Sequence, residues 1–287
     1  MRKATSPIFK IVFLVFLIPF LIQFISEAYA FNHRMGGGMR GGGMGGGGGM
    51  RGGGDSRSGF SWETAAAIGL EETGLDVKFP EEISCEGIAS EYASPYRYDG
   101  SDRPSFRMAG LHGGMDLSLD IGTPLLAMAD GELVRKGEGG QAAGNFIFVK
   151  FSPEATGFDR YIYAKYQHLD ELPDAEIGTQ YKAGQQIAIS GDTGTDGGYF
   201  VAGYPHLHLT TFASKESKIR GGGRYLMKHG RMIDPLAMYL DPESFSKIIS
   251  KTTALDGTIV EPSVVLKEKR ISKTNPPRFW PVHCSVD

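Results

Sequence analysis

The sequence predicts a mainly β fold built on antiparallel sheet, with loop insertions and short peripheral helices. Three observations carry this. Short segments of β-rich composition recur through the middle of the chain, at Leu125 to Met128, Glu132 to Lys136, Phe146 to Phe151, Tyr161 to His168, Gln186 to Ser190 and Leu207 to Phe212. Gly, Pro, Asp and Asn turns separate them, and no long helical period intervenes.

The ends of the chain read differently. Arg2, Lys3 and Lys10 lead into the apolar run Ile11 to Ile25 and then Ala28-Tyr29-Ala30. A charged start, an apolar stretch and a small-x-small site make residues 1–30 a secretory signal pattern. The run is broken by Pro19 and Gln23 and is shorter than the roughly 20 apolar residues that a membrane span needs. Cleavage after Ala30 is therefore expected, with no stable membrane span afterwards; an uncleaved anchor is the alternative.

Residues 31–59 are rich in Gly, Met and Arg. Ordering such a tract costs maximal backbone entropy and buries almost no side chain, so a disordered tether is expected. Arg34, Arg40, Arg51 and Arg57 make at most a weak patch for anionic polymers or head groups. Residues 60–84 form an N-terminal extension, with a short helix capped at Ser61 and stopped at Gly74. The folded domain is assigned to 85–245. A C-terminal extension, 246–287, begins inside a short helix from Asp241-Pro242-Glu243 to Ser250 and runs out in a polar tail containing Pro276, Pro277 and Pro281.

With 287 residues and 41% apolar content, the chain can bury a sizeable core. A formal net charge of −3 argues against nucleic acid as a partner, since phosphate binding needs concentrated Lys and Arg. Two cysteines, Cys85 and Cys284, are too few for a disulfide scaffold. Export makes a Cys85 to Cys284 bridge possible, tying the tail to the start of the domain, although spacing alone leaves free thiols open.

Four of the seven histidines cluster within the β region. In His206-Leu207-His208-Leu209 the imidazoles are spaced i and i+2, so on a strand they share a face while the leucines turn to the core. Upstream, His112-Gly113-Gly114-Met115-Asp116 offers an imidazole and a carboxylate on a backbone that the glycines bias away from helix. Nitrogen and oxygen donors of this kind suit zinc. Three protein ligands, His112, Asp116 and His208, leave a fourth tetrahedral position for water, the mark of a catalytic site. The ion's residual charge would acidify that water and polarise a peptide carbonyl. There is no His-Glu-x-x-His helix to provide a base. His168, in Tyr166-Gln167-His168-Leu169, and His206 are the candidates for proton transfer and oxyanion stabilisation, in either assignment.

His112-x-x-x-Asp116, Tyr166-x-His168-Leu169 and His206-x-His208, in that order, resemble the lysostaphin-type, or LytM-domain, zinc metallopeptidases. Gly122-Thr123-Pro124, Ala129-Asp130-Gly131, Gly184-Gln185, Gly191-Asp192-Thr193-Gly194 and Asp234-Pro235-Leu236 extend the likeness over roughly residues 85 to 240. The resemblance implies an antiparallel β-sheet or sandwich core of the LytM type. It implies one Zn²⁺ per chain on His112, Asp116 and His208, with His168 and His206 on the water and oxyanion side. It further implies an exported endopeptidase, periplasmic or extracellular, acting on peptidoglycan stem or cross-bridge peptides. The alternative is a non-catalytic module that activates other wall hydrolases; a protease directed at Gly-rich protein is a third reading. Three features depart from the family pattern: a long approach from Gly194 to Pro205, an insertion from Ala213 to Met232 that holds His229, and Ser94-Pro95-Tyr96-Arg97 in place of Phe-Gly-x-Arg. His229 is expected to be an exposed loop residue. The sequence does not determine the oligomeric state.

Overall fold

The computed structural model describes residues 61–286 apart from 106, 141–142, 196–203, 251–254, 256 and 268. The signal segment 1–30, the Gly-rich tract 31–59 and much of the Gly194 to Pro205 approach lie outside the described residues.

One sheet dominates. Its strands are β1 (Ile88–Ser90), β2 (Met115–Ser118), β3 (Gly131–Glu138), β4 (Asn145–Phe151), β5 (Tyr161–Leu169), β6 (Gln180–Tyr181), β7 (His206–Ser214) and β8 (Arg231–Ile233). In space they run β1-β2-β7-β5-β4-β3-β6, with β8 against β7, and every pairing is antiparallel. The strands are rich in β-branched and aromatic residues, which pack well on a pleated surface.

Alternation along each strand sorts the two faces. Leu117, Leu133, Ile147, Val149, Ala164, Tyr166, Leu207 and Leu209 point one way and are fully buried. They pack against a second, five-stranded sheet made of Gln186–Ile189, Pro124–Leu126, Phe279–His283, Ser263–Val265 and Arg270–Ile271. The result is two sheets over a shared core, which is the fold expected. The opposite face of the main sheet carries Asp116, His208, Thr210, Phe146 and Phe148 and forms the floor of a groove.

Two expectations change. The N-terminal helix Trp62–Ile68 is capped by Ser61, whose Oγ accepts from Thr64 N–H, but it ends at Gly69, not Gly74. Gly69 takes a left-handed φ of 99°, and a Cβ there would meet the Met232 carbonyl at 2.2 Å, so only glycine fits this stop. The C-terminal segment is also more than a polar tail. Its strands complete the second sheet, and Trp280 and Val282 enter the main core. Cys85 is bonded to Cys284, 199 residues away, beside the pairing of Ser285–Val286 with Ile83–Ser84. No helix among the described residues is long and apolar enough to cross a membrane.

Candidate metal centre

Register brings the first three residues together. β2 and β7 pair so that Asp116 lies directly opposite His208, and His112 stands on the loop that enters β2. Asp116 Oδ1 is 2.8 Å from His208 Nδ1 and 3.2 Å from His112 Nε2, and the two ring nitrogens are 3.0 Å apart.

The tautomers follow from the other ring atoms. His112 Nδ1–H donates to the Glu91 carbonyl at 2.8 Å, so its Nε2 lone pair faces inward. His208 Nε2 lies 3.0 Å from the Thr210 hydroxyl; donating there leaves the Nδ1 lone pair on the same centre. Two nitrogen lone pairs and a carboxylate oxygen then converge, an arrangement that a cation resolves. Donors bound tetrahedrally at about 2.0–2.1 Å lie roughly 3.3 Å apart, close to the edges seen here. The donor set thus fits a divalent ion, and among the described residues this is the one group of His, Cys, Asp and Glu with ligand atoms within 4.8 Å of one another.

Charge is arranged around Asp116. Where protons, not an ion, occupy the two ring nitrogens, burial pushes its carboxyl up, but the charge and hydrogen bond from His112, followed by those from His208, outweigh burial and hold it well below the usual carboxylate range. Arg103 Nη2 sits 3.6 Å from Asp116 Oδ2 and donates to Ser90 Oγ at 2.7 Å, fixing the second oxygen from behind.

His168 and His206 stand beside this centre with ring centroids 4.5 Å apart. His168 Nδ1–H donates to the Thr193 carbonyl at 2.8 Å, and His206 Nδ1–H to the Tyr204 carbonyl at 2.9 Å. Each neutral ring therefore keeps an Nε2 lone pair, and His206 Nε2 lies 3.8 Å from Asp116 Oδ1. Burial, with the nearby His208, lowers His168 to about 4, and burial also lowers His206. Both are uncharged acceptors at neutral pH.

His168 reaches the groove by breaking the strand. Simple alternation would place it with Ile162, Ala164 and Tyr166 on the core face, but its φ is 62° and the pairing slips by one residue between Asn145 and Phe146. This bulge turns the imidazole toward the site.

Sequence reasoning missed Arg103 and Tyr204 as contributors, and it read Gly114 only as a break from helix, not as a close approach to His208. The Tyr204 hydroxyl lines the cavity, is buried, and has no hydrogen-bond partner among the described residues. It is an O–H donor available to a developing oxyanion. At Gly114 a Cβ would come within 2.8 Å of His208 Nε2. None of the three has a motif spacing of its own. His229 is elsewhere: it is exposed as expected, but it ends the helix Gly223–His229 and does not sit in a loop, 3.5 Å from Glu216 and stacked on Tyr225.

Residues 110–219 match the family model Peptidase family M23. Glycyl-glycine endopeptidase ALE-1 of Staphylococcus capitis is 37% identical over 100 residues, covering 35% of this chain and 24% of that protein. An uncharacterized metalloprotease of Buchnera aphidicola is 30% identical over 148 residues, 52% of this chain and 34% of that one. Peptidoglycan DD-endopeptidase ShyA of Vibrio cholerae is 27% identical over 163 residues, 57% and 32% of the two chains. The matched stretches thus span only 24–34% of these relatives' own lengths. Among solved structures, the catalytic domain of lysostaphin from Staphylococcus simulans aligns at 25% identity with a TM-score of 0.36, covering 53% of this chain and 90% of that one. Residues 110–219 of this chain are a Peptidase family M23 domain of the lysostaphin and LytM type.

Proposed function

We propose that the chain is an exported zinc-dependent endopeptidase that hydrolyses peptide bonds in peptidoglycan stem or cross-bridge peptides. Its catalytic groove is assigned to residues 85–245, with the strands after 245 completing the core beneath it, behind a cleaved signal peptide (1–30) and a linker (31–59). The observation that carries this reading is the meeting of two imidazole lone pairs and one carboxylate oxygen, His112 Nε2, His208 Nδ1 and Asp116 Oδ1, within 3.2 Å. Export and peptidoglycan are supported by the signal pattern and by the activities named for the relatives.

His112, Asp116 and His208 would hold the ion, which when bound supplies Lewis acidity toward a peptide carbonyl and acidifies water to near neutrality. The remaining chemistry belongs to the chain. His168 and His206, each fixed by a carbonyl at Nδ1, offer Nε2 as a proton acceptor and, once protonated, return the proton to the leaving amine. The buried Tyr204 hydroxyl and a protonated His206 are positioned as donors for negative charge on the substrate oxygen. The cavity, about 800 Å³, is large enough for several peptide residues.

Incubating zinc-loaded protein with purified sacculi and assigning the soluble fragments by mass tests the proposal. Release by wild type, with loss of at least 100-fold in His168→Ala or His206→Ala, supports it. If wild type binds one zinc yet frees nothing from several wall chemistries, while speeding a separate wall hydrolase, the regulatory reading replaces it.

A further inference from the structure

The groove face of the main sheet is organised in cross-strand rows. The first contains Asp116, His208, Gln167 and Phe146, paired in register from β2 to β4. The next contains Thr210, Lys165, Phe148 and Arg135, paired from β7 to β3. The third contains Phe212, Tyr163, Lys150 and Glu132.

The three cations in these rows are treated differently. Lys150 is neutralised within its row by Glu132, at 2.8 Å. Lys165 and Arg135 have only aromatic partners: Lys165 Nζ lies 4.5 Å from the Phe146 ring centre and 5.8 Å from that of Phe148, and Arg135 Cζ lies 6.0 Å from that of Phe146. Among the described residues neither has a hydrogen bond or ion pair. Lys165 is half-buried and lines the same cavity as His168, His208 and Thr210, with Gly223 and Met227 from the helix Gly223–His229 on the far wall. Burial, and then Arg135, draw its ammonium down to about 8, which still leaves it charged at neutral pH. A half-buried cation in a substrate groove, with a second cation beside it and no counter-charge, is a receptor for an anion.

Register also gives the distance. Lys165 is the diagonal neighbour of His208 across β5 and β7, about 7–8 Å between backbones. An extended peptide advances roughly 3.3 Å per residue, so the cation meets the substrate about two residues from the bond at the metal centre.

We propose that Lys165, with Arg135 behind it, is a specificity residue that receives a free carboxylate of the substrate about two residues from the scissile bond. This rests on the peptidase reading and narrows it: the preferred substrate is an acidic peptide, unlike the neutral oligoglycine implied by the name of the Staphylococcus capitis relative.

The test uses zinc-loaded full chain and fluorescein-labelled hexaglycine peptides in which one residue at a time is replaced by Glu or by Gln. Cleavage is followed by mass, and binding by anisotropy with the His168→Ala protein. At one position, about two residues from the cut, Glu should exceed Gln at least tenfold, mainly through KM and Kd. Lys165→Met should bring the Glu-to-Gln ratio near one, Lys165→Arg should keep it, and Arg135→Gln should reduce it. A wild-type ratio below two at every position, or a ratio that survives Lys165→Met, overturns the proposal. If no peptide is cleaved but the Glu preference appears in binding, the subsite stands, and release from sacculi decides the peptidase reading separately. Loss of binding to both peptides in Lys165→Met alone, with an unfolded circular dichroism spectrum, is resolved by Lys165→Arg: a folded protein lacking the preference also overturns the proposal.

Discussion

Gly114 and the ring of His208 compete for the same space: a Cβ at position 114 would stand 2.8 Å from His208 Nε2 and 2.5 Å from the Leu209 carbonyl. The backbone contact cannot be relieved by a side-chain rotation. Gly114→Ala should therefore push β2 away from β7 just where Asp116 faces His208. We expect about 1–3 kcal/mol of lost stability and zinc affinity lower by about 10–100-fold. Chelator competition reads the second quantity, and an unchanged affinity would show that the glycine only opens the backbone.

His168 holds a left-handed conformation that glycine adopts freely and other residues resist, at roughly 1 kcal/mol. His168→Gly should accordingly be more stable than His168→Ala by about 1 kcal/mol in urea unfolding, while both lose activity. Equal stabilities would mean that the left-handed backbone at position 168 bears no strain.

These two positions show what the sequence made legible. The His206-x-His208 strand was readable because period-two alternation states which face each side chain takes. Asp116 and His112 were readable from donor chemistry and the intervening glycines. The bulge that aims His168 was not, because a one-residue slip leaves no trace in a hydrophobic pattern. Arg103 and Tyr204 act across the fold and have no local spacing to betray them. The second sheet's dependence on Trp280 was hidden for a related reason: its buried residues are scattered among Lys, Arg and Pro, and only long-range pairing with Pro124–Leu126 gives them a face.

Asp234 caps the turn Pro235–Tyr239 by accepting from Leu236 N–H, and it accepts the Thr73 hydroxyl. Burial raises it to about 6, against the lowering effect of these hydrogen bonds. A folded pKa above the unfolded value of about 3.9 means that folding favours the protonated form. The associated stability is complete below about pH 4 and is lost as pH rises through about 6, a change of about 2–3 kcal/mol. Asp234→Asn lacks this component. The stability of wild type minus that of Asp234→Asn should fall between pH 4 and 7 and then level; a difference independent of pH would contradict the assignment.

The Cys85 to Cys284 bond closes a loop of 199 residues. Replacing both by Ser should cost about 2–5 kcal/mol, chiefly by freeing the unfolded chain. Guanidinium unfolding of the double variant and of wild type measures this, and reduced wild type should match the variant. Coincident curves for oxidised and reduced wild type would deny the bond a structural part.

The central claim is a division of labour: His112, Asp116 and His208 hold the metal, and His168 and His206 move protons. Zinc content per chain, measured on wild type and the five single Ala variants after equilibration against a weak chelator, tests it most directly. One zinc per chain is expected in wild type, His168→Ala and His206→Ala, with little or none in His112→Ala, Asp116→Ala and His208→Ala. Zinc retained without His208, or lost without His168, would contradict the account.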